Sequence, residues 1–423
     1  MSDAERTNPD TTAVSAILAG LPEAAPDLAD LYRDLHAHPE PAFRETRTGA
    51  LIARRLKALG LDVTTGVGRT GVVGVLANGP GPHVLLRADF DALPVTEQTG
   101  LPYASTTDGV MHACGHDMHV TCLIGAIGLL VAGRASWSGT VTAVFQPAEE
   151  TGAGARAMVD DGLFDTVGIP DVVLGQHVGP FPAGTFGCHP GPALAATDAL
   201  KVTLYGKGAH GSRPEVSVDP VVMAAATVMR LQTIVSREVA GHDMAVVTVG
   251  ALNAGTTDNV IPDTAELKLN IRTYTDEVRE SVLAAVRRIV AGEAAAAGAP
   301  REPAIESLDT FPVLVNDVAA VERTMAAFRA RFGADRVFDL GPATGSEDCG
   351  VLGTASGAPV CYWYFGGADP ETYARARESG TVARDIPSNH SPLFAPVVEP
   401  TLTGGVTAMT TAALTWLKAG QTR

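Results

Sequence analysis

The sequence predicts an α/β protein whose larger domain is interrupted by a smaller α+β domain. Apolar runs typical of buried strands alternate with helical patterns in the first half of the chain. Period-2 alternation then begins at Ala199–Tyr205, and a stretch rich in Ala, Gly and Pro at Ala294–Pro303 marks a return to the first domain. The chain has 423 residues, 46% of them hydrophobic and 18% charged, which is enough for at least two domains with buried cores.

The larger domain is expected to begin with two helices and to continue with strands. Residues 27–60 predict an amphipathic helix, a break at His38–Pro41 and a second helix that ends near Gly60. Apolar runs bounded by Gly and Pro predict buried strands at 72–76 and 83–87. The next expected elements are a helix near 117–133, a strand at 139–145, a helix near 152–161 and a strand at 171–175.

The inserted domain is expected to contain strands and two helices in a compact α+β unit. The predicted elements are strands at 199–205, 244–249 and 264–273 and helices near 219–236 and 276–298. A helix near 400–418 would complete the larger domain. The predicted division is therefore 1–196 and 309–423 for the larger domain and 197–308 for the smaller one.

Charge and cysteine content exclude several classes of protein. The net charge of −16 argues against nucleic acid as a partner, because phosphate contacts need clustered Lys and Arg. The five cysteines are odd in number and not closely paired, which indicates a reducing compartment instead of a disulfide framework. The N-terminal sequence does not resemble a secretory signal, and no stretch reaches the roughly 20 apolar residues of a membrane span. We expect a cytoplasmic protein that does not insert into membranes.

The segment His112–His119 is the most informative part of the chain. It holds one thiol, three imidazoles and one carboxylate within eight residues. Cys114 and His116 are separated by a single Gly, so both side chains could reach one metal ion from a tight loop. The alternative is a polar loop followed by a helix that Asp117 caps, and the segment alone does not decide between the two.

Paired carboxylates and two isolated histidines lie elsewhere in the chain. Glu149 and Glu150 follow an apolar strand, where open α/β sheets place their sites, and one could bind metal while the other acts as a base. Taken alone, Glu149 and Glu150 would be explained as acidic residues at a helix N-terminus. Taken alone, His177 and His390 would be explained as hydrogen-bonded structural residues. As a set with Cys114 and His116, they supply enough S, N and O ligands for two divalent ions that share one bridging group.

Motifs of this kind recur along nearly the whole chain, and their order and spacing carry the resemblance. They are Asp34–Glu40, Arg87–Pro94, Cys114–His116, Pro147–Glu150, Gly208–Pro214, Asn259–Pro262, Gly345–Asp348 and Asn389–His390. Together they resemble the M20 metallopeptidase family, and within it the amidohydrolase branch of aminoacylases, hippurate hydrolases and indoleacetyl-amino-acid hydrolases. The resemblance implies a larger catalytic domain with a dinuclear metal centre and a smaller domain that acts as a lid and in dimerisation.

The resemblance also implies roles for individual residues of the larger domain. Cys114 matches the bridging ligand of this branch, and the terminal ligands match His116, Glu150, His177 and His390. Glu149 matches the general base. The cofactors would be two divalent ions per subunit, and the mixed ligand set fits Zn, Mn, Co or Ni. Asp89 and Asp91 resemble residues that support the metal loop, and Ser346–Asp348 resembles a pocket or supporting motif, although turn and cap chemistry explains them nearly as well.

Three residues of the smaller domain match family positions that act on the substrate. His210 matches a histidine that reaches the active site of the partner subunit and stabilises the oxyanion, which implies a homodimer or a higher homo-oligomer. Asn259 and Arg272 match residues that contact the substrate, and Arg suits a bidentate grip on a carboxylate. Arg272 could equally be a surface residue of an edge strand.

The expected reaction is hydrolysis of the amide bond of a small N-acyl amino acid. Close alternatives are an N-acetylated diaminopimelate, an indoleacetyl conjugate or a short peptide. Two alternative functions from other classes are a binding protein that has lost catalysis and a structural zinc protein. The presence of the base Glu149, together with more ligands than a structural site needs, argues against both. The loop residues Met118 and His119, and Val178–Pro180 after His177, depart from the common family pattern, which leaves the substrate in doubt but not the reaction class.

Overall fold

The computed structural model describes residues 11–420 of the chain. In these residues the helices are α1 (Thr11–Leu18), α2 (Leu21–Ala37), α3 (Thr46–Ala58), α4 (His116–Ala132), α5 (Gly154–Asp160), α6 (Leu163–Val167), α7 (Pro220–Thr233), α8 (Asp276–Ala296), α9 (Val318–Phe332), α10 (Gly350–Ser356), α11 (Pro370–Glu378), α12 (Val382–Asp385) and α13 (Val398–Trp416). The strands are β1 (Asp62–Val67), β2 (Gly71–Asn78), β3 (His83–Asp89), β4 (Trp137–Gln146), β5 (Val172–Pro182), β6 (Phe186–Cys188), β7 (Gly191–Leu194), β8 (Ala196–Tyr205), β9 (Ala209–His210), β10 (Ala245–Ala254), β11 (Val260–Ile261), β12 (Thr264–Thr273), β13 (Ala304–Phe311), β14 (Leu314–Asn316), β15 (Val337–Asp339), β16 (Val360–Ala368) and β17 (Lys418–Ala419).

The chain divides into two compact units. The smaller unit comprises Leu194–Leu314 together with Pro342–Glu347, and the remainder forms the larger unit. The short segment Pro342–Glu347, which the sequence analysis left in the larger domain, lies in the smaller unit because Ala343 bridges to Leu194 and Ser346 Oγ donates to Ala195 O.

The larger unit is built on a mixed sheet with the strand order β1-β2-β4-β3-β5-β16-β6-β15, and β17 pairs with β4. The central strands β4, β3, β5 and β16 run parallel. They read as nearly continuous apolar runs because both faces of the sheet are covered. Helix α4 is apolar around its circumference and packs against α2, α13, β3 and β5, so it belongs to the core.

The smaller unit has an antiparallel sheet with the order β10-β12-β8-β13 and a separate pair formed by β9 and β11. Alternate residues of β12 are buried with the helices α7 and α8, which is the expected pattern for a sheet with one covered face. Local signals set the helix starts. Asp219 accepts from Val221 N before Pro220 at the first turn of α7, and Thr275 accepts from Val278 N at the start of α8.

The predicted α/β class with a mixed sheet is confirmed, and most predicted elements are present. Strand β12 has the predicted bounds, 264–273, because its alternation is strict. Strand β5 runs to Pro182, beyond the predicted end at 175, because pairing with β16 continues past the Gly and Pro residues that usually end a strand. Within residues 11–420, no helix is both long enough and apolar enough to cross a membrane.

Candidate metal centre

The candidate residues of the larger unit lie where neighbouring parallel strands end. Strands β3 and β4 end in register, with Asp89 opposite Gln146, and Glu149 and Glu150 follow directly after β4. His177 lies on β5, the other neighbour of β3. The carboxyl edge of a parallel sheet is the usual place for a site in this fold class.

A left-handed glycine shapes the loop that carries Cys114 and His116. Gly115 has a φ of 85°, and α4 begins at the next residue. A Cβ atom at this position would lie 2.3 Å from Val178 Cγ1, so the close approach to β5 also requires glycine. The loop thereby brings Cys114 next to His177, with 3.4 Å between Sγ and Nε2.

The structure brings together all six candidate residues of the larger unit. Two groups of three side chains have ligand atoms within 4.8 Å of one another and share one thiol: Cys114, His116 and His177 form the first, and Cys114, Glu150 and His390 form the second. In the second group, His390 Nε2 lies 3.3 Å from Glu150 Oε2. Glu149 belongs to neither of these two groups, but it forms a further group with His116 and Glu150, and its Oε2 lies 3.8 Å from His116 Nε2.

The hydrogen bonds of the two rings distinguish the ligand candidate His177 from the nearby His119. His177 Nδ1 donates to Val178 O at 2.7 Å, which leaves the lone pair of Nε2 directed towards Cys114. His119 also lies close to His116, but its Nδ1 is 2.5 Å from Asp89 Oδ1 and its Nε2 accepts from Val178 N at 2.8 Å. Both ring nitrogens of His119 are therefore used, and we assign it a structural role.

The electrostatics of the cluster fit a bound divalent cation. Burial alone lowers the pKa of His116, but Asp89, Asp91 and Glu150 outweigh it and raise the pKa to about 10. Burial, together with the carboxylates of Glu150, Glu149 and Asp89, raises the pKa of the Cys114 thiol well above its ordinary value. A divalent cation would reverse both effects, because it stabilises a thiolate and replaces the proton on an imidazole. His116 Nε2 and Glu150 Oε1 are buried without a hydrogen-bond partner, which fits a role as metal ligands.

Residues around the cluster hold the ligands in place. Asp91 Oδ1 lies 3.3 Å from His116 Nδ1, and its carboxylate accepts from the backbone N–H groups of Glu149 and Glu150. Asn389 Nδ2 donates to Cys114 O at 3.1 Å and to Val178 O at 3.2 Å, and thus ties the chain next to His390 to the metal loop. The sequence analysis did not assign this role to Asn389, and the motif that contains His390 was its only signal.

A buried network of charged and polar side chains connects the ends of β3 and β4. Arg87 is 1% exposed, and it donates to Gln146 Oε1, to Asp89 Oδ2 and to Asp348 Oδ1. Gln146 Nε2 also donates to Asp348 Oδ1, at 2.6 Å. The network links β3, β4 and the start of α10, so it fixes Asp89 beside His116.

The candidate residues of the smaller unit lie in two places. His210 lies on β9 opposite Val260 of β11, and Asn259 directly precedes β11, where its O accepts from Gly211 N at 2.7 Å. Arg272 lies near the end of β12, and it donates to Asn270 Oδ1, to Thr344 O and to Ser346 Oγ.

Comparison with known proteins identifies the family. A sequence model described as peptidase family M20/M25/M40 matches residues 85–386. The chain belongs to this family. The N-acetyl-L-cysteine deacetylase of Bacillus subtilis is 41% identical to this M20 chain over 324 residues, which cover 76% of the chain and 76% of that protein. The hippurate hydrolase of Campylobacter jejuni is 39% identical over 321 residues, which cover 75% of the chain and 82% of that protein.

A solved structure supports the same conclusion. The YXEP protein of Bacillus subtilis, described as a dinuclear metal-binding peptidase from the M20 family, has a TM-score of 0.74 and 32% identity, and the match covers 93% of this chain and 98% of that one. The resemblance to the amidohydrolase branch of family M20 is therefore confirmed. The protein is a metal-dependent hydrolase that acts on amide bonds, and divalent metal ions are its cofactors.

Proposed function

We propose that this M20 hydrolase cleaves the amide bond of small N-acyl amino acids and releases a carboxylic acid and a free amino acid. The observation that carries the proposal is the pair of ligand groups that share Cys114, with the buried carboxylate of Glu149 beside them. Two of its relatives are named for such substrates, N-acetyl-L-cysteine and hippurate.

In the proposed centre, two divalent ions would be held by two groups of side chains that both include Cys114. One ion would be held by Cys114, His116 and His177, and the other by Cys114, Glu150 and His390. Sulfur, imidazole and carboxylate ligands together suit Zn, Mn, Co or Ni. When bound, such ions polarise the scissile carbonyl group and lower the pKa of water.

Glu149 is the proposed general base. Its carboxylate is buried at the edge of the cluster, so it can take a proton from the attacking water and later give that proton to the leaving nitrogen. The C–N bond breaks as the amine is protonated. A binding protein would have no need of a carboxylate in this place.

His210 is the proposed donor to the oxyanion. Its Nδ1 accepts from Ser212 N at 3.1 Å, and because a backbone N–H can only donate, the ring proton lies on Nε2. The hairpin therefore presents an Nε2–H group that can donate to a developing negative charge. We propose that this donor serves the active site of a partner subunit, and that Asn259 and Arg272 bind the substrate, with the guanidinium of Arg272 on its carboxylate.

The proposed self-association uses the smaller unit. Strand β10 is an edge strand, and it exposes Val246 and Leu252. Helix α7 exposes Val222 and Met229, whose relative accessibilities are 65% and 72%. An unpaired strand edge next to exposed apolar side chains favours pairing with a second copy.

The test is hydrolysis of a substrate panel by metal-reconstituted protein. The panel contains N-acetyl, N-benzoyl, indoleacetyl and long-chain N-acyl amino acids, N-acetyl-diaminopimelate and dipeptides. We expect turnover of N-acyl amino acids and a loss of about 10²–10⁴-fold in Glu149→Gln, which removes the base but keeps the shape of the side chain. Metal content should stay unchanged in this variant, because Glu149 is not a proposed ligand. Turnover of dipeptides alone, or of nothing while two ions are bound, would refute the proposal.

A further inference from the structure

The chain makes an unusual corner directly before Glu149. Ala148 has a φ of 50° and a ψ of 40°, the left-handed conformation that residues with a Cβ atom rarely adopt. The corner is closed by a bond from Gly154 N to Ala148 O, and a Cβ atom on Gly154 would lie only 1.6 Å from Pro147 O. The direction of the Glu149 side chain follows from this backbone conformation.

Two carboxylates hold the corner through its backbone N–H groups. Asp91 accepts from Glu149 N at 3.0 Å and from Glu150 N at 3.1 Å. Glu45 Oε1 accepts from Ala148 N at 2.9 Å, across 103 positions of the chain. Asp91 also faces the imidazole of His116, whereas the described bonds of the Glu45 side chain go to Ala148 and Thr70.

Glu45 is placed at the start of α3, but it does not cap that helix. It occupies the N-cap position without a side-chain bond to the helix, and Glu40 accepts instead from Arg47 N at 3.0 Å and from Thr48 N at 2.8 Å. Thr70 Oγ1 donates to the second oxygen of Glu45 at 2.6 Å and orients the carboxyl group. The side chain of Glu45 is fully buried, and burial raises its pKa although the bonds from Thr70 and Ala148 oppose this.

The buried carboxyl group of Glu45 does not cap its own helix and instead accepts a hydrogen bond from the corner. We propose that Glu45 is a positioning residue for the reaction: it fixes the left-handed turn at Ala148 and thereby aims the carboxylate of Glu149 at the metal centre. The inference rests on the proposed role of Glu149 as the base. Asp91 also contacts the ligand candidate His116, whereas the described bonds of the Glu45 side chain go to Ala148 and Thr70 and to no ligand candidate.

Four variants test this role. Glu45→Ala removes the acceptor of Ala148 N–H. Glu45→Gln keeps an acceptor oxygen for Ala148 and can donate to Thr70 through its amide nitrogen. Glu40→Ala is the matched control, because it removes carboxylate-to-backbone bonds at the start of the same helix. Thr70→Val removes the hydroxyl that orients Glu45 and serves as a milder change if Glu45→Ala does not fold.

The measurements are kcat, KM, metal content and hydrogen exchange of a peptide that spans 146–154. For Glu45→Ala we expect kcat to fall by about 10- to 100-fold, because a small displacement of a catalytic group has effects of this size. KM and metal content should stay unchanged, and the peptide should exchange faster. Glu45→Gln should restore most of kcat, Thr70→Val should show a smaller loss in the same direction, and Glu40→Ala should lower the melting temperature without lowering kcat.

The inference is overturned if Glu45→Ala keeps its kcat, if Glu40→Ala loses as much activity, or if metal is lost together with activity. If Glu45→Ala does not fold, an unchanged kcat in Thr70→Val overturns it. Failure of the proposed function would look different, since the wild-type protein itself would hydrolyse no N-acyl amino acid. In that case hydrogen exchange alone decides, and unchanged exchange at 146–154 in Glu45→Ala removes the inference.

Discussion

The larger and the smaller unit differ in the exposure and the hydrogen bonding of their candidate residues. In the larger unit, the side chains of His116 and Glu150 are 0% and 10% exposed, and each carries a buried polar atom without a hydrogen-bond partner. In the smaller unit, His210 is exposed, and its Nδ1 is already engaged by Ser212. The first region has the buried ligand atoms that a cation would bind, whereas the second presents a hydrogen-bond donor to solvent.

This difference predicts two kinds of defect. Substitutions of the ligand candidates should remove metal and activity together, because these side chains would hold the ions. Substitutions in the smaller unit should remove activity and leave metal content unchanged. The variants below test this division.

The largest effect is expected for Cys114→Ala. Both ligand groups contain this thiol, so its loss should abolish the binding of two ions. Turnover should fall by more than the roughly 10- to 100-fold that is typical when a residue hydrogen-bonded to a metal ligand is lost. The matched control is Cys122→Ala, a buried thiol on α4 outside both groups. Metal analysis and turnover are measured on both variants, and full metal content in Cys114→Ala would contradict the shared-ligand assignment.

The next effect is expected for His210→Ala, which should lower kcat by about 10²–10³-fold, the usual cost of losing one oxyanion donor. Metal content should not change. If His210 serves a partner subunit, refolding a mixture of the His210→Ala and Glu149→Ala chains should restore activity, because each mixed dimer regains one intact site. A mixture no more active than its components would show that the site is completed within one chain.

A smaller effect is expected for Arg272→Lys, which keeps the charge but loses the planar fork. KM should rise by roughly 10- to 100-fold, the range for losing a hydrogen bond to a charged group. The increase should disappear for a substrate whose carboxylate is amidated. Arg279→Lys is the control, because that arginine pairs with Asp198 inside the same unit. An equal rise in KM for both substrates would contradict the carboxylate contact.

The smallest effect on turnover is expected at His36, where the consequence is seen in stability. Burial lowers the pKa of His36, but Asp117 and Glu97 outweigh it and raise the pKa from 6.5 to about 10. Because the folded state binds this proton more tightly, the stabilisation is fully present below about pH 6.5 and is lost as the pH rises towards 10. The difference in unfolding free energy between wild type and His36→Gln should therefore shrink across this range. A constant difference would mean that His36 is not protonated in the folded protein.

Much of the fold could be predicted because its signals are local. Strict alternation identified β12, and the apolar runs identified β2 and β3. The transfer of Pro342–Glu347 to the smaller unit could not be predicted, since it depends on contacts with Leu194 and Ala195, about 150 positions away along the chain. No periodicity within six residues carries that information.

The residues of the candidate site also differ in how well the sequence predicts them. The ligand candidates lie at strand ends or in dense motifs, so position and residue type together single them out. The residues that hold them do not stand out in the sequence. Asn389 acts through backbone carbonyls of distant segments, and Glu45 acts through a left-handed alanine that no motif reveals.

The burial of helix α4 bears on the stability of the metal centre. Fourteen of its 17 residues are buried, and its first residue is His116. Because most of this helix is buried, we expect its first turn, which carries His116, to open only rarely. We therefore expect His116 to be held in place before a metal ion binds. Unlike a zinc finger, whose fold depends on its ion, this protein should remain folded after chelation and regain its cofactor without refolding.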